Sequence, residues 1–212
     1  MLHRAAEPSI VVPPYGRWSS PALAVERSWR DALPILEGEG VRLRELRRPD
    51  SAPLHAILAT DPVSRYIAPP PASVAEFAQF IAQAQRLRKQ GRRACFGVIP
   101  RDCNHPVGMF QLWRIDGAFD VAEWGFALGA PFWGSSVFME AAQLVLRFAF
   151  ETVGVNRLEA RAASENGRGN GALRKIGATP EGILRRCFDS RGERMDHVMW
   201  ALLAEEWRGG QS

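Results

Sequence analysis

Hydrophobic and polar residues follow two periods along this chain, one typical of helices and the other typical of strands. The strongest helical period follows residue 136 and predicts a helix of about 18 residues with one buried face. Its polar side includes Glu140 and Arg147. Its apolar side consists of Val137, Phe138, Ala141, Leu144, Val145, Phe148 and Ala149.

Apolar runs, several of them with a period of two, predict strands on both sides of that helix. The strand before it ends at Gly129-Ala130-Pro131, because Pro131 has no N–H to give to a ladder. Since the helix intervenes, the strands over 120–128 and 157–163 can pair in parallel by a right-handed crossover. The predicted strands span residues 41–46, 94–99, 107–115, 120–128, 157–163, 182–188 and 195–203.

Two further helices are predicted near the start of the folded region. A short one opens at Pro49-Asp50-Ser51 and runs to about Ala59. The next begins at Ser73, where Glu76 completes a capping box, and ends at Gly91. The elements together predict an α/β fold with a mixed, largely antiparallel sheet.

Residues 1–33 lack this regularity and are rich in proline, with a short helical stretch over about 22–31. Such a composition makes a poor core. We therefore expect residues 1–33 to be an N-terminal extension, loosely ordered or packed on the surface, and residues 34–212 to form the domain.

Composition excludes several classes of protein. No apolar run approaches the ~20 residues of a membrane span, and the N-terminus has no apolar signal segment, so we expect a cytoplasmic chain without a membrane partner. Three cysteines and four histidines show no ligand spacing, so no metal is expected. The net charge of +4 permits a polyanionic partner, and the basic clusters leave solvated surface and nucleic-acid surface both open.

The turn over 132–136 feeds the N-terminus of the long helix. Backbone N–H groups there lack helical partners and lie at the positive end of the helix dipole, an arrangement that suits a phosphate. The alternative is that Ser135 or Ser136 only caps the helix. Spacing alone leaves both interpretations open.

Residues 133–141 resemble the acetyl-CoA pyrophosphate loop of the GNAT N-acetyltransferases, in the branch of the ribosomal-protein N-terminal acetyltransferases. Three more segments resemble motifs of that branch in the same order. The first two are Glu123-Trp124-Gly125-Phe126 and Arg157-Leu158-Glu159-Ala160-Arg161. The third is Glu165-Asn166 with Leu173-Arg174-Lys175-Ile176-Gly177. Two loop positions depart from the pattern, because Ser136 and Phe138 stand where glycine or alanine is usual, and a Cβ there obstructs close approach to a ligand.

The resemblance implies the GNAT fold, a central sheet with one splayed parallel strand pair and about four flanking helices. It also implies acetyl-CoA as co-substrate, with the pantetheine arm in the slot between the splayed strands. Asn166 has two interpretations, a pantetheine contact or a helix-entry residue. The residues expected to bind the cofactor are Phe126, Ala127, Leu128, Trp133, Gly134, Ser135, Ser136, Val137, Phe138, Asn166, Asn170 and Leu173.

The resemblance also implies direct acetyl transfer, with a backbone N–H near Phe126 or Ala127 polarising the thioester. Glu123 and Glu159 flank the slot and are the candidate bases, unless they only form ion pairs with Arg157 or Arg161. The family's proton-donating tyrosine is replaced by Leu173, which leaves Ser136 or water as donor.

Residues outside these motifs are expected to shape the acceptor site. Arg65, Tyr66 and Pro69-Pro70-Pro71 are expected to border the acceptor. Trp124 is either a core residue or part of the acceptor pocket. Asp196 either binds the amine or supports a turn.

The leading hypothesis is an acetyl-CoA-dependent N-acetyltransferase acting on a primary amine, either a protein N-terminus or a small molecule. Two alternatives stay open: a non-catalytic acyl-CoA-binding module, and a ribosome- or RNA-associated protein on the same fold. The sequence leaves monomer and homodimer both open and does not identify the acceptor.

Overall fold

The computed structural model describes residues 29–115, 119–190 and 192–209, which form one sheet flanked by helices. The strands are β1 (Leu36–Glu37), β2 (Val41–Glu45), β3 (Arg93–Pro100), β4 (Gly108–Arg114), β5 (Val121–Leu128), β6 (Arg157–Ala163), β7 (Thr179–Ser190) and β8 (Glu193–Leu203). The helices are α1 (Ser51–Leu58), α2 (Asp61–Ser64), α3 (Val74–Lys89), α4 (Val137–Arg147), α5 (Gly167–Lys175) and α6 (Ala204–Gly209).

The eight strands of the described segments lie in the order β1-β2-β3-β4-β5-β6-β8-β7. All neighbours are antiparallel except β5 and β6, which pair in parallel over Val121–Glu123 and Arg157–Glu159 only. Beyond Glu123, β5 stays paired with β4 up to Leu128 while β6 diverges from it. The predicted mixed α/β fold with one splayed parallel pair is therefore confirmed.

Successive side chains on each strand point to opposite faces of the sheet, so the core has two layers. The larger cluster lies on the face covered by α4 and includes Phe96, Phe110, Trp124 and Leu158. The smaller cluster lies on the opposite face, where Phe77 and Ile81 of α3 pack with Leu54 and Leu58 of α1. Ala127 belongs to this second cluster, so β5 contributes residues to both layers.

Local signals explain why the helices begin where they do. Ser73 caps α3 by accepting the N–H of Glu76 at 3.2 Å, as the capping box predicts. The glycine-rich start of α5 is helical against its propensity because Asn166 Oδ1 accepts the N–H of Gly169 at 2.9 Å. Leu173, 1% exposed, anchors the same helix in the core.

The described end of the predicted N-terminal extension is part of the core. Trp29 is fully buried, packs edge to face against Phe119 and Phe148, and Leu33 is buried nearby. Residues 1–28, which hold most of the predicted extension, lie outside the described residues. Their separation from the domain stays a prediction.

Candidate active site

A cavity of about 410 Å³ opens where β5 and β6 separate. Three walls surround it. One is the end of β5 with the following turn, the second is the start of α5, and the third is α2 with the residues after it. The lining residues are Phe126, Ala127, Leu128, Trp133, Gly134, Ser135, Phe138, Met139, Asn166, Gly167, Arg168, Gly169, Gly171, Ala172, Lys175, Pro62, Val63, Tyr66 and Ile67.

The turn before α4 presents free backbone N–H groups to this cavity. The first intrahelical bond runs from Glu140 N to Ser136 O at 3.0 Å, so Val137, Phe138 and Met139 have no helical acceptor for their N–H groups. Gly134 has a φ of +75°, and an added Cβ there would meet nothing within 4 Å. The glycine is therefore required by conformation rather than by space.

Neither serine of the turn caps the helix through its side chain. Ser135 Oγ donates to Phe132 O at 2.6 Å, and Ser136 occupies the cap position without a side-chain hydrogen bond. The predicted alternative, in which a serine only caps α4, is wrong. The orphan N–H groups at this helix end remain available to an anion.

The edge of β5 that faces the gap exposes one peptide group in particular. Because Ile115 N donates to Val121 O, the peptide groups of odd-numbered residues on β5 point to β4. Those of even-numbered residues point towards β6, which has diverged by this point. The N–H of Phe126 therefore faces the cavity, and sequence reasoning had left Phe126 and Ala127 both open.

Side chains of α5 form the basic wall of the cavity. The Arg168 guanidinium lies 3.9 Å from the centre of the Trp133 ring, a cation–π contact across the cavity mouth. Trp133 is itself fixed by a 2.7 Å hydrogen bond from Nε1 to Leu128 O. Lys175 also lines the cavity. Sequence reasoning assigned no cavity role to Arg168 or Lys175, because glycines hide the helical register of this segment.

Four residues expected to bind the cofactor do not line the cavity. Ser136 and Val137 lie at the start of α4 and are not part of the cavity wall. Leu173 is buried in the core. Asn170 is buried, donates to Ala163 O and Asn166 O, and accepts from Trp200 Nε1 at 2.9 Å. Asn170 therefore joins α5 to β6 and β8.

The two candidate bases lie side by side on the face opposite α4. Glu123 and Glu159 are directly paired across β5 and β6 at the base of the gap. Burial raises the pKa of Glu123 and the neighbouring Glu159 raises it further, whereas Arg161 and a hydrogen bond from Trp113 lower it. Glu159 is instead bound by Arg157 Nε at 2.8 Å. The pKa of Glu123 therefore lies above its ordinary value.

The surroundings of Glu123 restrain its carboxylate. Its side chain is 15% exposed, and Arg161 Nε lies 3.6 Å from Oε1. Trp113 is its cross-strand partner, and the Trp113 ring would lie 3.1 Å from a Cβ added at Gly125. The absence of a side chain at Gly125 therefore leaves room for that ring beside Glu123.

The remaining predicted acceptor residues divide into two groups. Tyr66 lines the cavity, whereas Arg65 and the three prolines after it do not. Trp124 is 2% exposed and stacks on Phe110 in the core, so it does not form an acceptor pocket. Asp196 Oδ1 accepts the N–H of Arg186 at 2.7 Å, which is the turn-supporting alternative.

The family model described as an acetyltransferase (GNAT) domain matches residues 41–179. The chain therefore belongs to the GNAT acetyltransferases, which are acetyl-CoA-dependent acyltransferases. The uncharacterized N-acetyltransferase p20 of Bacillus licheniformis is 27% identical over 178 residues, covering 84% of this chain and 100% of that protein. The ribosomal protein uS5-alanine N-acetyltransferase of Escherichia coli is 24% identical over 132 residues, covering 62% of this chain and 68% of that protein.

Solved structures show the same fold. A GCN5-related N-acetyltransferase from Brucella melitensis has a TM-score of 0.70 and 28% identity, covering 82% of this chain and 80% of that chain. Mycobacterium smegmatis RimJ in complex with CoA-disulfide has a TM-score of 0.70 and 23% identity, covering 78% of this chain and 83% of that chain. The second likeness concerns the fold alone.

No group of three or more histidine, cysteine or acidic residues in the described ranges is arranged to hold a metal ion. No helix among the same residues is long and apolar enough to cross a membrane.

Proposed function

We propose that this protein transfers the acetyl group of acetyl-CoA directly to a primary amine, either the N-terminus of a protein or a small molecule. One arrangement supports the proposal above others. The free N–H groups at the start of α4, the N–H of Phe126 and the Glu123 carboxylate all lie around the same break between β5 and β6.

Acetyl-CoA would lie along the cavity with its pyrophosphate on the turn over 133–138. The N–H groups of that turn and the dipole of α4 favour the phosphate charge. Arg168 and Lys175 add positive charge on the opposite wall. The pantetheine arm would then pass between the end of β5 and the start of α5, where Asn166 both caps α5 and lines the cavity.

The thioester carbonyl would accept a hydrogen bond from Phe126 N–H. This bond strengthens as the oxygen gains negative charge, which is the condition for accelerating the reaction. Glu123 accepts the proton of the incoming ammonium, directly or through water, because its raised pKa makes it a stronger base than an ordinary carboxylate. The amine then attacks the thioester carbon and the thiolate leaves.

The proton for the leaving thiolate is assigned to Tyr66 rather than to Ser136. Ser136 does not line the cavity, whereas Tyr66 does. Tyr66 also lies next to Ile67, which packs on the cluster containing Ala127. Among the described residues Tyr66 is the one tyrosine, and the thiolate would take the proton of its hydroxyl or of a water bound to it.

The acceptor class is supported by chemistry and by one relative. Glu159 is already bound by Arg157, whereas the Glu123 carboxylate at the base of the gap can accept hydrogen bonds from a cationic amine. The Escherichia coli relative is named for acetylating the alanine of a ribosomal protein. A protein N-terminus that begins with alanine is therefore the first acceptor to test.

The test compares Glu123→Gln with the wild type, following thiol release from acetyl-CoA with an alanine-initiated peptide. Glutamine keeps the size of the side chain but cannot accept the proton, so turnover should fall by roughly 10²–10⁴-fold. CoA affinity measured by calorimetry should stay near the wild-type value. Glu181→Gln is the matched control, because Glu181 is an exposed carboxylate bound to Arg157.

If Glu123→Gln turned over at the wild-type rate, Glu123 would not be the base. If the wild type binds acetyl-CoA but releases no thiol with any amine, the protein is an acyl-CoA-binding module instead.

A further inference from the structure

Trp113 on β4 contacts the proposed base but has no part in the mechanism above. It is half-buried, and it pairs directly with Glu123 across β4 and β5. Its side chain also gives the Glu123 carboxylate a hydrogen bond. The indole Nε1–H is the polar group of a tryptophan side chain and can only donate. A carboxylate that accepts this bond has less freedom to rotate, so the indole restricts the direction in which Glu123 points.

The indole ring is itself held from two sides. Arg93 of β3 is its cross-strand partner on the other side, and the guanidinium carbon lies 5.8 Å from the ring centroid, a cation–π contact. The far edge of the ring lies over Gly125, where an added Cβ would be 3.1 Å from the ring atom Cη2. A side chain at position 125 would press against the ring. Packing on β3 and β5 therefore fixes the indole beside Glu123.

The arginine behind the ring strengthens the ring as a donor. Arg93, Trp113 and Glu123 lie side by side on three neighbouring strands, so the indole stands between a cation and a carboxylate. A cation near the ring face draws electron density out of the indole, which makes its N–H a stronger donor. Arg93 Nε is buried without a hydrogen-bond partner among the described residues. The ring is thus the contact that the structure assigns to this guanidinium.

The other charged neighbours of Glu123 restrain it less. Arg161 Nε lies 3.6 Å from Glu123 Oε1, which is beyond hydrogen-bond distance, and the Arg161 side chain is 43% exposed. Glu159 carries the same charge as Glu123 and is itself bound by Arg157. Arg161 therefore mainly supplies charge, whereas Trp113 fixes the direction of the carboxylate.

We propose that Trp113 is a positioning residue for the base, whose indole N–H holds the Glu123 carboxylate in the orientation that receives the proton of the incoming amine. The inference rests on the proposed function and deepens it. Trp113 neither gives nor takes a proton: the ammonium proton passes to the Glu123 carboxylate, directly or through water, and the indole keeps its N–H. A carboxylate has about four lone-pair sites, so the bond from Trp113 leaves room for the amine.

The first experiment uses Trp113→Phe in the full chain, which removes the N–H and keeps an aromatic ring. Burial raises the pKa of Glu123 and the bond from Trp113 lowers it, so loss of that bond should raise the pKa further. Glu123 acts in its charged form, so the acid limb of the kcat/KM profile should move to higher pH. With an alanine-initiated peptide, kcat at the optimum should fall roughly 10-fold, because the base is present but misplaced. CoA affinity in calorimetry should change less than about twofold.

Trp207→Phe is the matched control for loss of an indole. Trp207 on α6 stacks on Phe150, and its Nε1 has no partner among the described residues, so the variant loses no hydrogen bond. Its acid limb and kcat should match the wild type.

The double variant Glu123→Gln/Trp113→Phe separates positioning from packing. A residue that acts through the Glu123 carboxylate adds nothing once the base is gone, so the double variant should match Glu123→Gln within about twofold. A further loss of roughly 10-fold in the double variant would overturn the inference. An unmoved acid limb in Trp113→Phe would overturn it as well.

NMR of the indole N–H groups decides the case without turnover, and without Trp113→Phe if that variant folds poorly. In the wild type, one indole signal should move with pH as Glu123 takes up its proton, and it should stop moving in Glu123→Gln. The indoles of Trp133 and Trp200 donate to amide oxygens, which do not titrate in this range. If no indole signal loses its pH dependence in Glu123→Gln, the inference is overturned. Absence of thiol release by the wild type beside a titrating indole signal would overturn the proposed function and not the contact.

Discussion

The left-handed turn at Gly134 offers the sharpest single test of the cofactor site. Gly134 has a φ of +75°, and Gly154, remote from the cavity at the end of the π-helical turn Phe148–Val153, has a φ of +84°. In both positions an added Cβ meets nothing within 4 Å. Alanine at either site therefore introduces backbone strain without a steric clash, and the two variants are matched.

The strain should appear in different measurements for the two glycines. A left-handed conformation costs an L-residue roughly 1–2 kcal/mol. Residues 133–136 form an exposed or half-buried turn, so Gly134→Ala can relax in the free protein and must be forced back when CoA binds. At 1.4 kcal/mol per factor of ten, CoA affinity should fall roughly 5- to 30-fold. The free energy of unfolding should change little.

Gly154 lies between Val153 and Val155, both buried in the core, so its backbone cannot relax. Gly154→Ala should lose roughly 1–2 kcal/mol of unfolding free energy and keep wild-type CoA affinity. Calorimetry with CoA and urea denaturation of both variants measure the two quantities. Wild-type affinity in Gly134→Ala, or an equal loss of affinity in Gly154→Ala, would refute the role assigned to the turn.

Three further predictions concern the charged groups and one buried amide. The acid limb of the kcat/KM profile should report Glu123, whose base form is lost as pH falls. Arg161→Gln should move that limb to higher pH, because Arg161 lowers the pKa of Glu123. Glu159→Gln should move it to lower pH, because Glu159 raises the pKa of Glu123. Arg168→Met should weaken acetyl-CoA binding about tenfold in calorimetry at low salt, because the cation that contacts the Trp133 ring and would pair with a phosphate is lost. Arg174 lies on the same helix but outside the cavity, so Arg174→Met should bind acetyl-CoA normally. Asn170→Ala should lower the free energy of unfolding, measured in urea, by about 1–3 kcal/mol, because Trp200 Nε1 loses its buried acceptor. CoA affinity should change little. A loss of affinity without a loss of stability would contradict the structural role of Asn170.

Much of the fold follows from local patterns in the sequence. The period of α4, the capping box at Ser73 and the alternation of β2 each arise from neighbouring residues, and each element lies where its pattern predicts. Trp29 shows the limit of that approach, because a proline-rich segment offers no period and its burial depends on Phe119 and Phe148, far along the chain.

The site was harder to predict than the fold because its residues are defined by three-dimensional contacts. Gly134 and Phe126 are recognisable from the turn and the strand that carry them, and both line the cavity. Arg168 has no local signal, because it acts through the ring of Trp133 on another element. Asn170 was misassigned because its hydrogen bond to Trp200 spans 30 residues.

The central claim is that acetyl moves from CoA to an amine in the gap between β5 and β6. Its most direct test mixes the wild-type protein with acetyl-CoA and an alanine-initiated peptide and measures free thiol and peptide mass in parallel. The account predicts one thiol released for each peptide acetylated at its N-terminal amine, with both signals greatly reduced in Glu123→Gln. Thiol release that continues unchanged without an amine, or tight acetyl-CoA binding with no acetylated product, would contradict it.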